Sequence, residues 1–479
     1  MSIKKDLRSG IFYTFIFRYA KYAIQLIVSA ILARLLTPED FGVVAVINVF
    51  VIFFLILSTF GLGTAVIQKQ NISSQNLYSL FIVTFFLGIV LSSAFFASAP
   101  IISSLYNNSE YNKITRLLSV SMFFTTITSI PQAILLKEKK FKIIGMIEFW
   151  VGIITGAFAV MLALNGFSYY SLVYKSILES ILVFSIYFKL SNIKFFKSVS
   201  FKIFSEVFSY TTFQLLYNVV DYFSRNLDTL IMGKYLGASK LGLYDRANRL
   251  LSTVNGLTVV FTPVIHPVLS VHQEDWELIF KVFKKITKYL FLFGLPLSVF
   301  LHFSSKEIIL ILYGEQWLKS VPVFEFLSLI IWIQILYSSV QPFFQVLGKT
   351  NYLLLLGLVF ISVILTAVFI GVFVYDSIVS VAFYIVFAYS IHFLFAYYLL
   401  IVKLFEVKLK VMFSVFYPGI IAALVIIILN LIIKLFLPID NLIFSLFVKM
   451  LSSGLAFIIV LIIMKELKEV IGLFNPKNT

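Results

Sequence analysis

Fourteen runs of about 20 mostly apolar residues follow one another along this chain, joined by short connections, and about 20 such residues are what an α-helix needs to cross a bilayer. Lipid offers the backbone no hydrogen-bond partners, so each run has to satisfy its own amides and carbonyls, which makes it a helix. The runs lie near 10–36, 41–67, 77–105, 115–135, 143–164, 168–188, 207–232, 241–268, 287–304, 321–346, 353–373, 378–401, 412–433 and 442–464. Composition points the same way, with 61% hydrophobic and 13% charged residues and a mean hydropathy of +1.02. The predicted fold class is all-α, a polytopic membrane protein. The longest connections, near 189–206 and 305–320, are under about twenty residues, which leaves no room for a soluble catalytic domain.

Lys and Arg are shared unevenly between alternate connections. The side of the N-terminal tail (Lys4, Lys5, Arg8) holds 23, including the stretches Lys137–Lys142, Lys189–Lys202, Lys281–Lys288 and Lys403–Lys410. The other side holds seven: Lys113, Arg116, Lys234, Lys240, Lys306, Lys319 and Lys434. The positive-inside rule then places both termini in the cytoplasm, as an even helix count requires. It also accounts for the net charge of +16 without a nucleic-acid partner. The first apolar run is too long for a secretory signal and lacks a small-residue cleavage site, so the first helix is kept. With no cysteine there are no disulfides or thiolate metal sites.

The chain also repeats itself. Thr14, Arg18, Lys21 and Gln25 form a polar stripe in an apolar run, and 200 positions later stand Gln214, Asn218, Asp221 and Arg225. Steps of four, three and four keep each set on one helical face. At the same offset ARLLTPEDFGVV (Ala33 to Val44) lies over GKYLGASKLGLY (Gly233 to Tyr244), pairing Gly42 with Gly242, and Asn48 falls on Asn248. A second anchor, offset by 211, lays Pro131 to Phe141 over Pro342 to Tyr352. Six helices separate the copies, so the repeats are parallel. The expected plan is two six-helix lobes, residues 1–200 and 201–402, with helices thirteen and fourteen (403–479) as an appendage. Repeats of this kind imply a transporter whose site lies between rocking lobes.

Arg18 and Lys21 lie about 12 and 17 Å along the first helix, too deep to be surface charges. At roughly 2.5 to 3.5 kcal/mol per charge, two on one face argue against a lipid-facing orientation. A stripe with two cations and no carboxylate favours an anionic substrate over an organic cation, although Asp221 and Asp228 leave the second copy mixed. Structural alternatives stand beside this reading. Arg18 snorkels to the cytoplasm and Lys21 locks onto Asp221, or Asp221 neutralises Arg225 one turn away. Asp221 and Asp228 are candidates for proton or sodium coupling, with structural pairing as the alternative. Arg246 and Arg249 either line a cavity or snorkel, and Lys175 with Glu179 reads as a structural pair. Lys449 and Arg34 read as structural too. Pro131, Pro263, Pro267 and Pro342 are expected to kink helices. Gln334, Gln341 and Gln345 share a face that offers hydrogen bonds to sugar hydroxyls or to neighbouring helices.

Other chemistry finds little support. His266, His272, His302 and His392 have no metal-ligand spacing, and no Walker A sequence is present, so neither a cofactor nor ATP is expected. A membrane glycosyltransferase or polymerase would need clustered carboxylates or extramembrane structure.

The phrases LLTPEDFGVVAV (Leu35 to Val46) and RNLDTLIMGKYLGASKLGLYDRANRL (Arg225 to Leu250) resemble the polysaccharide-exporter branch of the multidrug/oligosaccharidyl-lipid/polysaccharide (MOP) superfamily, the Wzx-type flippases. The resemblance implies a MATE-like two-lobe fold and export of undecaprenyl-diphosphate-linked oligosaccharide across the bacterial cytoplasmic membrane, with polysaccharide polymerase machinery as a partner. On that basis Arg18, Lys21 and Arg225 become the candidate diphosphate clamp, because Arg grips phosphate bidentately and Lys acts as a point charge. Gln25, Asn218 and Arg249 complete the candidate substrate set. A MATE-type cation-coupled drug antiporter is the alternative from the same superfamily.

Overall fold

The computed structural model describes residues 3–59, 63, 66, 67, 72–196, 219, 222–258, 275–437, 439–467 and 469, without the side chains of 3–15, 59, 257, 258 and 350. Among the described residues every regular element is helical. In chain order these are α1 (Ile3–Leu35), α2 (Pro38–Thr59), α3 (Ser74–Leu105), α4 (Glu110–Lys137), α5 (Phe141–Leu164) and α6 (Tyr170–Ser191). Then come α7 (222–235), α8 (Ala238–Thr258), α9 (Trp276–Phe303), the short α10 (Ser305–Tyr313), α11 (Val321–Ser328) and α12 (Ile331–Val346). The last four are α13 (Thr350–Phe369), α14 (Ile378–Tyr398), α15 (Phe413–Phe436) and α16 (Leu442–Ile463).

Eleven helices among the described residues are long and apolar enough to cross a membrane, or twelve if 315–328 and 331–346 form one span bent by 45°. Expected spans seven and eight lie partly outside the described residues. The bend in span ten falls at Leu329 and Ile330, twelve residues before Pro342, whose side chain is buried within α12.

Local sequence explains where several helices start. Thr37 precedes Pro38 at the head of α2, and Asp40 accepts from both the Thr37 amide and its hydroxyl at 2.8 Å while the Asp40 amide returns a bond to Thr37 Oγ1 at 3.3 Å. This is a capping box with proline in the first helical position, where its missing N–H costs nothing. Ser73, Asp275, Ser377 and Asn441 cap α3, α9, α14 and α16 more simply, each side chain accepting from the amide three residues on.

The chain divides into two compact units, residues 1–242 and 243–479. In the first, α1 packs on α5, and α4 packs on α2, α3 and α6. Glycines make the α1–α5 contact close: a Cβ on Gly145 would sit 2.5 Å from the Phe17 Cβ, and one on Gly156 2.5 Å from Val28 Cγ2. Val66, Leu80, Phe81, Ile127, Ile130 and Ile134 form a core where α3 packs on α4. In the second unit α9 is central and packs on α12 and α15, while Val299, Ala423, Ile426 and Ala456 fill the space towards α16.

A close approach in the first unit joins the two copies of the repeated motif. A Cβ on Gly42 would lie 1.8 Å from the Ala238 carbonyl oxygen, and one on Gly242 1.7 Å from that of Pro38. At the offset of 200, Pro38 corresponds to Ala238 and Gly42 to Gly242. Each copy therefore presents its glycine to the helix start of the other, a reciprocal contact of the kind a two-fold axis generates.

Candidate functional site

The α1 stripe is held by α5. Where Gly145 and Gly156 draw the two helices together, Lys21 Nζ reaches Glu148 Oε2 at 2.9 Å, and the buried Tyr187 donates to Glu148 Oε1 at 3.4 Å. Side-chain exposures of 37% for Lys21 and 28% for Glu148 place the pair at the edge of the helix bundle. An anionic ligand at Lys21 would have to compete with this carboxylate. Arg18, one turn away, is exposed, with its guanidinium carbon 6.0 Å from the Tyr22 ring centroid. Gln25 is also exposed, and the Thr14 side chain lies outside the described residues.

Sequence reasoning missed Glu148. Its signal was a lone carboxylate in the apolar run IGMIEFWVGI, without a partner within a helical turn.

Of the second copy, Gln214, Asn218 and Asp221 lie outside the described residues. Arg225 is exposed on α7, and Asp228 is buried, accepting from the Thr229 amide at 2.7 Å. Tyr222 donates to the Val49 carbonyl at 2.8 Å and ties α7 to α2. On α8, Arg246 is buried and bridges its neighbour Asp245 at 2.5 Å, whereas Arg249 is exposed.

The expected Lys175–Glu179 pair is present, and Lys449, read as structural without a named partner, has one in Glu307. Lys175 bridges Glu179 at 3.3 Å, and Lys449 bridges Glu307 at 2.5 Å, where Ser445 adds a bond of 2.7 Å. Gln334 accepts from Asn255, while Gln341 and Gln345 are exposed.

A cavity of about 450 Å³ at one end of the first unit was not foreseen. Its walls are the turns between α1 and α2, α3 and α4, and α5 and α6, with Asp40, Asn108, Glu110, Ser168 and Tyr169 among the lining. Asp40 joins the first of these turns to the third. Besides Thr37 it accepts from the Ser168 hydroxyl and, at 3.1 Å, from the Tyr169 amide. The Tyr169 hydroxyl donates to Glu110 at 2.7 Å, and burial followed by this carboxylate pushes its pKa up. Each Asp40 oxygen thus has two donors, so the carboxylate serves as a staple between turns.

The model of the family described as polysaccharide biosynthesis protein matches residues 31–322, more than half of the chain. The chain belongs to this polysaccharide biosynthesis protein family. Relatives include the teichuronic acid biosynthesis protein TuaB of Bacillus subtilis, 26% identical over 69% of this chain and 69% of that protein. The lipopolysaccharide biosynthesis protein WzxC of Escherichia coli is 25% identical over 69% of this chain and 68% of its own length. The succinoglycan biosynthesis transport protein ExoT of Rhizobium meliloti is 24% identical over 68% and 67%. Among solved structures, lipid II flippase MurJ in an inward closed conformation matches with a TM-score of 0.76 at 16% identity, covering 95% of this chain and 99% of that one. An inward-facing MATE family transporter of the MOP superfamily matches at 0.59 and 14% identity, covering 80% and 97%. The fold is the MurJ- and MATE-like one, and the family is the one the motif phrases resembled.

Proposed function

We propose that this protein is a flippase, not an enzyme, that exports undecaprenyl-diphosphate-linked oligosaccharide across the bacterial cytoplasmic membrane by alternating access, for cell-surface polysaccharide synthesis. The observation that carries this reading is the set of relatives: three bacterial proteins named for three different glycans align over about two thirds of their lengths. What they share is the handling of a glycan. In this reading the working lobes are residues 1–200 and 201–402, with 403–479 appended and both termini cytoplasmic.

Arg18, exposed on α1, and Arg225, exposed on α7, are the cations assigned to the diphosphate. Lys21 joins them by exchanging Glu148 for phosphate. Gln25, Asn218 and Arg249 are assigned to the head group, Asp221 and Asp228 to proton or sodium coupling or to a lock between lobes, and a polysaccharide polymerase to the receiving side.

The test is flipping of a fluorescent undecaprenyl-diphosphate oligosaccharide in proteoliposomes. Wild-type protein should expose the label to a membrane-impermeant quencher, and Arg18→Ala should slow that exposure. An interior-negative potential should speed outward movement, since two charges crossing 100 mV gain about 4.6 kcal/mol. Transport of a lipophilic drug cation without any glycan flipping would transfer the reading to the antiporter class.

A further inference from the structure

At 28 residues α9 is about 42 Å long, some 12 Å more than the roughly 30 Å of hydrocarbon, so about two turns extend into a headgroup region. Its N-terminal half carries the charges. Lys281, Lys284, Lys285 and Lys288 recur at i, i+3, i+4 and i+7 and so form a single stripe. Behind the stripe Ile279 and Phe283 are fully buried. The Phe283 ring meets Phe343 at 5.1 Å, Phe405 at 5.7 Å and Tyr397 at 5.9 Å, which fixes the rotation of the helix.

Phe405 comes from the turn after α14, and it also contacts Phe280 at 5.0 Å and Trp276 at 6.3 Å. That turn adds Lys403, Lys408 and Lys410, all exposed, and Trp276 is 42% exposed beside them. The stripe is not uniformly occupied. Lys288 bridges Glu466 at 2.6 Å and Glu469 at 3.7 Å, and Glu469 also accepts from Tyr289 at 2.8 Å, so the segment after α16 docks at that end. Lys281 and Lys285 are exposed, and the Lys284 ammonium stands 5.2 Å over the Phe280 ring. The carboxylates nearest along the chain, Asp275, Glu277 and Glu406, are also exposed; Asp275 is occupied in capping α9. A preference for basic residues on one side of the membrane explains how many lysines lie here. It does not explain their alignment on an amphipathic turn whose aromatic backing is fixed and whose first residue is an exposed indole.

We propose that the Lys281–Lys284–Lys285 stripe, with Trp276 and the 403–410 turn, is a docking surface for the phosphate headgroups of anionic phospholipid in the adjacent leaflet. Lysine stems lie along apolar surface and lift their ammonium groups to headgroup height, the level that an interfacial tryptophan prefers. The three lysines lie within one and a half turns of one another, so neighbouring headgroups can be held together. This requires only that the chain crosses a membrane and is independent of what it exports.

The experiment uses full-length protein in nanodiscs of phosphatidylcholine with a minor fraction of phosphatidylglycerol, and counts the lipids retained after release by native mass spectrometry. Wild-type protein should retain phosphatidylglycerol in excess of its share. Each lysine near an anionic surface is worth about a fivefold preference, so the triple variant Lys281→Gln, Lys284→Gln, Lys285→Gln should lose most of it. The triple Lys→Arg variant should keep it. An unchanged excess in the Gln variant, or no excess in the wild type, overturns the proposal. A Gln variant with an unchanged melting temperature in phosphatidylcholine alone attributes the loss to lipid contact and not to unfolding.

Discussion

Gly42→Ala tests whether the reciprocal glycine contact holds two helix starts at backbone distance. The added methyl carbon would lie 1.8 Å from the Ala238 carbonyl oxygen, whereas a close carbon–oxygen contact is about 3.3 Å, so the chains have to part by about 1.5 Å. The obstacle is backbone, and no rotamer change relieves it. Overpacking of this kind costs about 1–3 kcal/mol, set against about 1 kcal/mol that alanine gains over glycine inside a helix. A backbone obstacle puts the cost at the upper end of that range, so the clash wins with a net loss of about 2 kcal/mol. Gly242→Ala, at 1.7 Å from the Pro38 oxygen, should behave alike. Because both substitutions force the same parting, the double variant should cost little more than either single one, a coupling that independent sites do not show. The chain has no cysteine, so Leu241→Cys provides a unique buried probe next to the contact. Thermal unfolding in detergent gives the cost, and maleimide labelling of that cysteine reports the parting. Additive melting shifts, or labelling unchanged by either glycine substitution, would refute the reasoning.

Glu148→Gln should slow export by leaving Lys21 without its carboxylate; if the pair is only structural, the double variant Lys21→Met, Glu148→Met restores flipping, and if Lys21 holds phosphate the double variant stays inactive. Lys449→Met leaves Glu307 charged and buried, which should cost about 3–5 kcal/mol, whereas Lys449→Met with Glu307→Leu should recover most of it in a thermal melt. Asp40→Ala removes the α2 capping partner and the bonds to Ser168 and Tyr169, so it should lower stability by at least the roughly 0.5–2 kcal/mol of a lost cap and speed proteolysis at the 165–169 turn.

What could be read from sequence followed from how local each signal is. A membrane-spanning helix is announced by its own 20 residues, so helix positions were accessible before any contact was known. The Thr37–Asp40 capping box, equally local, was passed over, and the second apolar run begins near 41 where α2 starts at Pro38. The glycine contact was half legible: the offset of 200 aligned Gly42 with Gly242, but nothing in the alignment showed that the two copies touch. Glu148 announced itself only as a lone carboxylate in an apolar run; its pairing with Lys21 was not legible, because the partner is 127 positions away and is brought close only by the α1–α5 packing at Gly145 and Gly156. A kink was expected in span ten at Pro342; the bend at Leu329 and Ile330, where no proline stands, was not foreseen. The Asp40 staple escaped for the same reason as the Lys21–Glu148 pair, since two turns about 130 positions apart have to converge before it has anything to hold.

The contact in which position 42 meets 238 while 242 meets 38 has a historical consequence. It is the contact that a protein with one copy of the motif would make with a second copy of itself, each presenting one glycine and one helix start. Fusion of two such genes would have changed the connection and left the interface intact. The glycine would then have been fixed before the duplication, under the demands of a homodimer, and each copy of the motif would have inherited a helix start already fitted to the other's glycine.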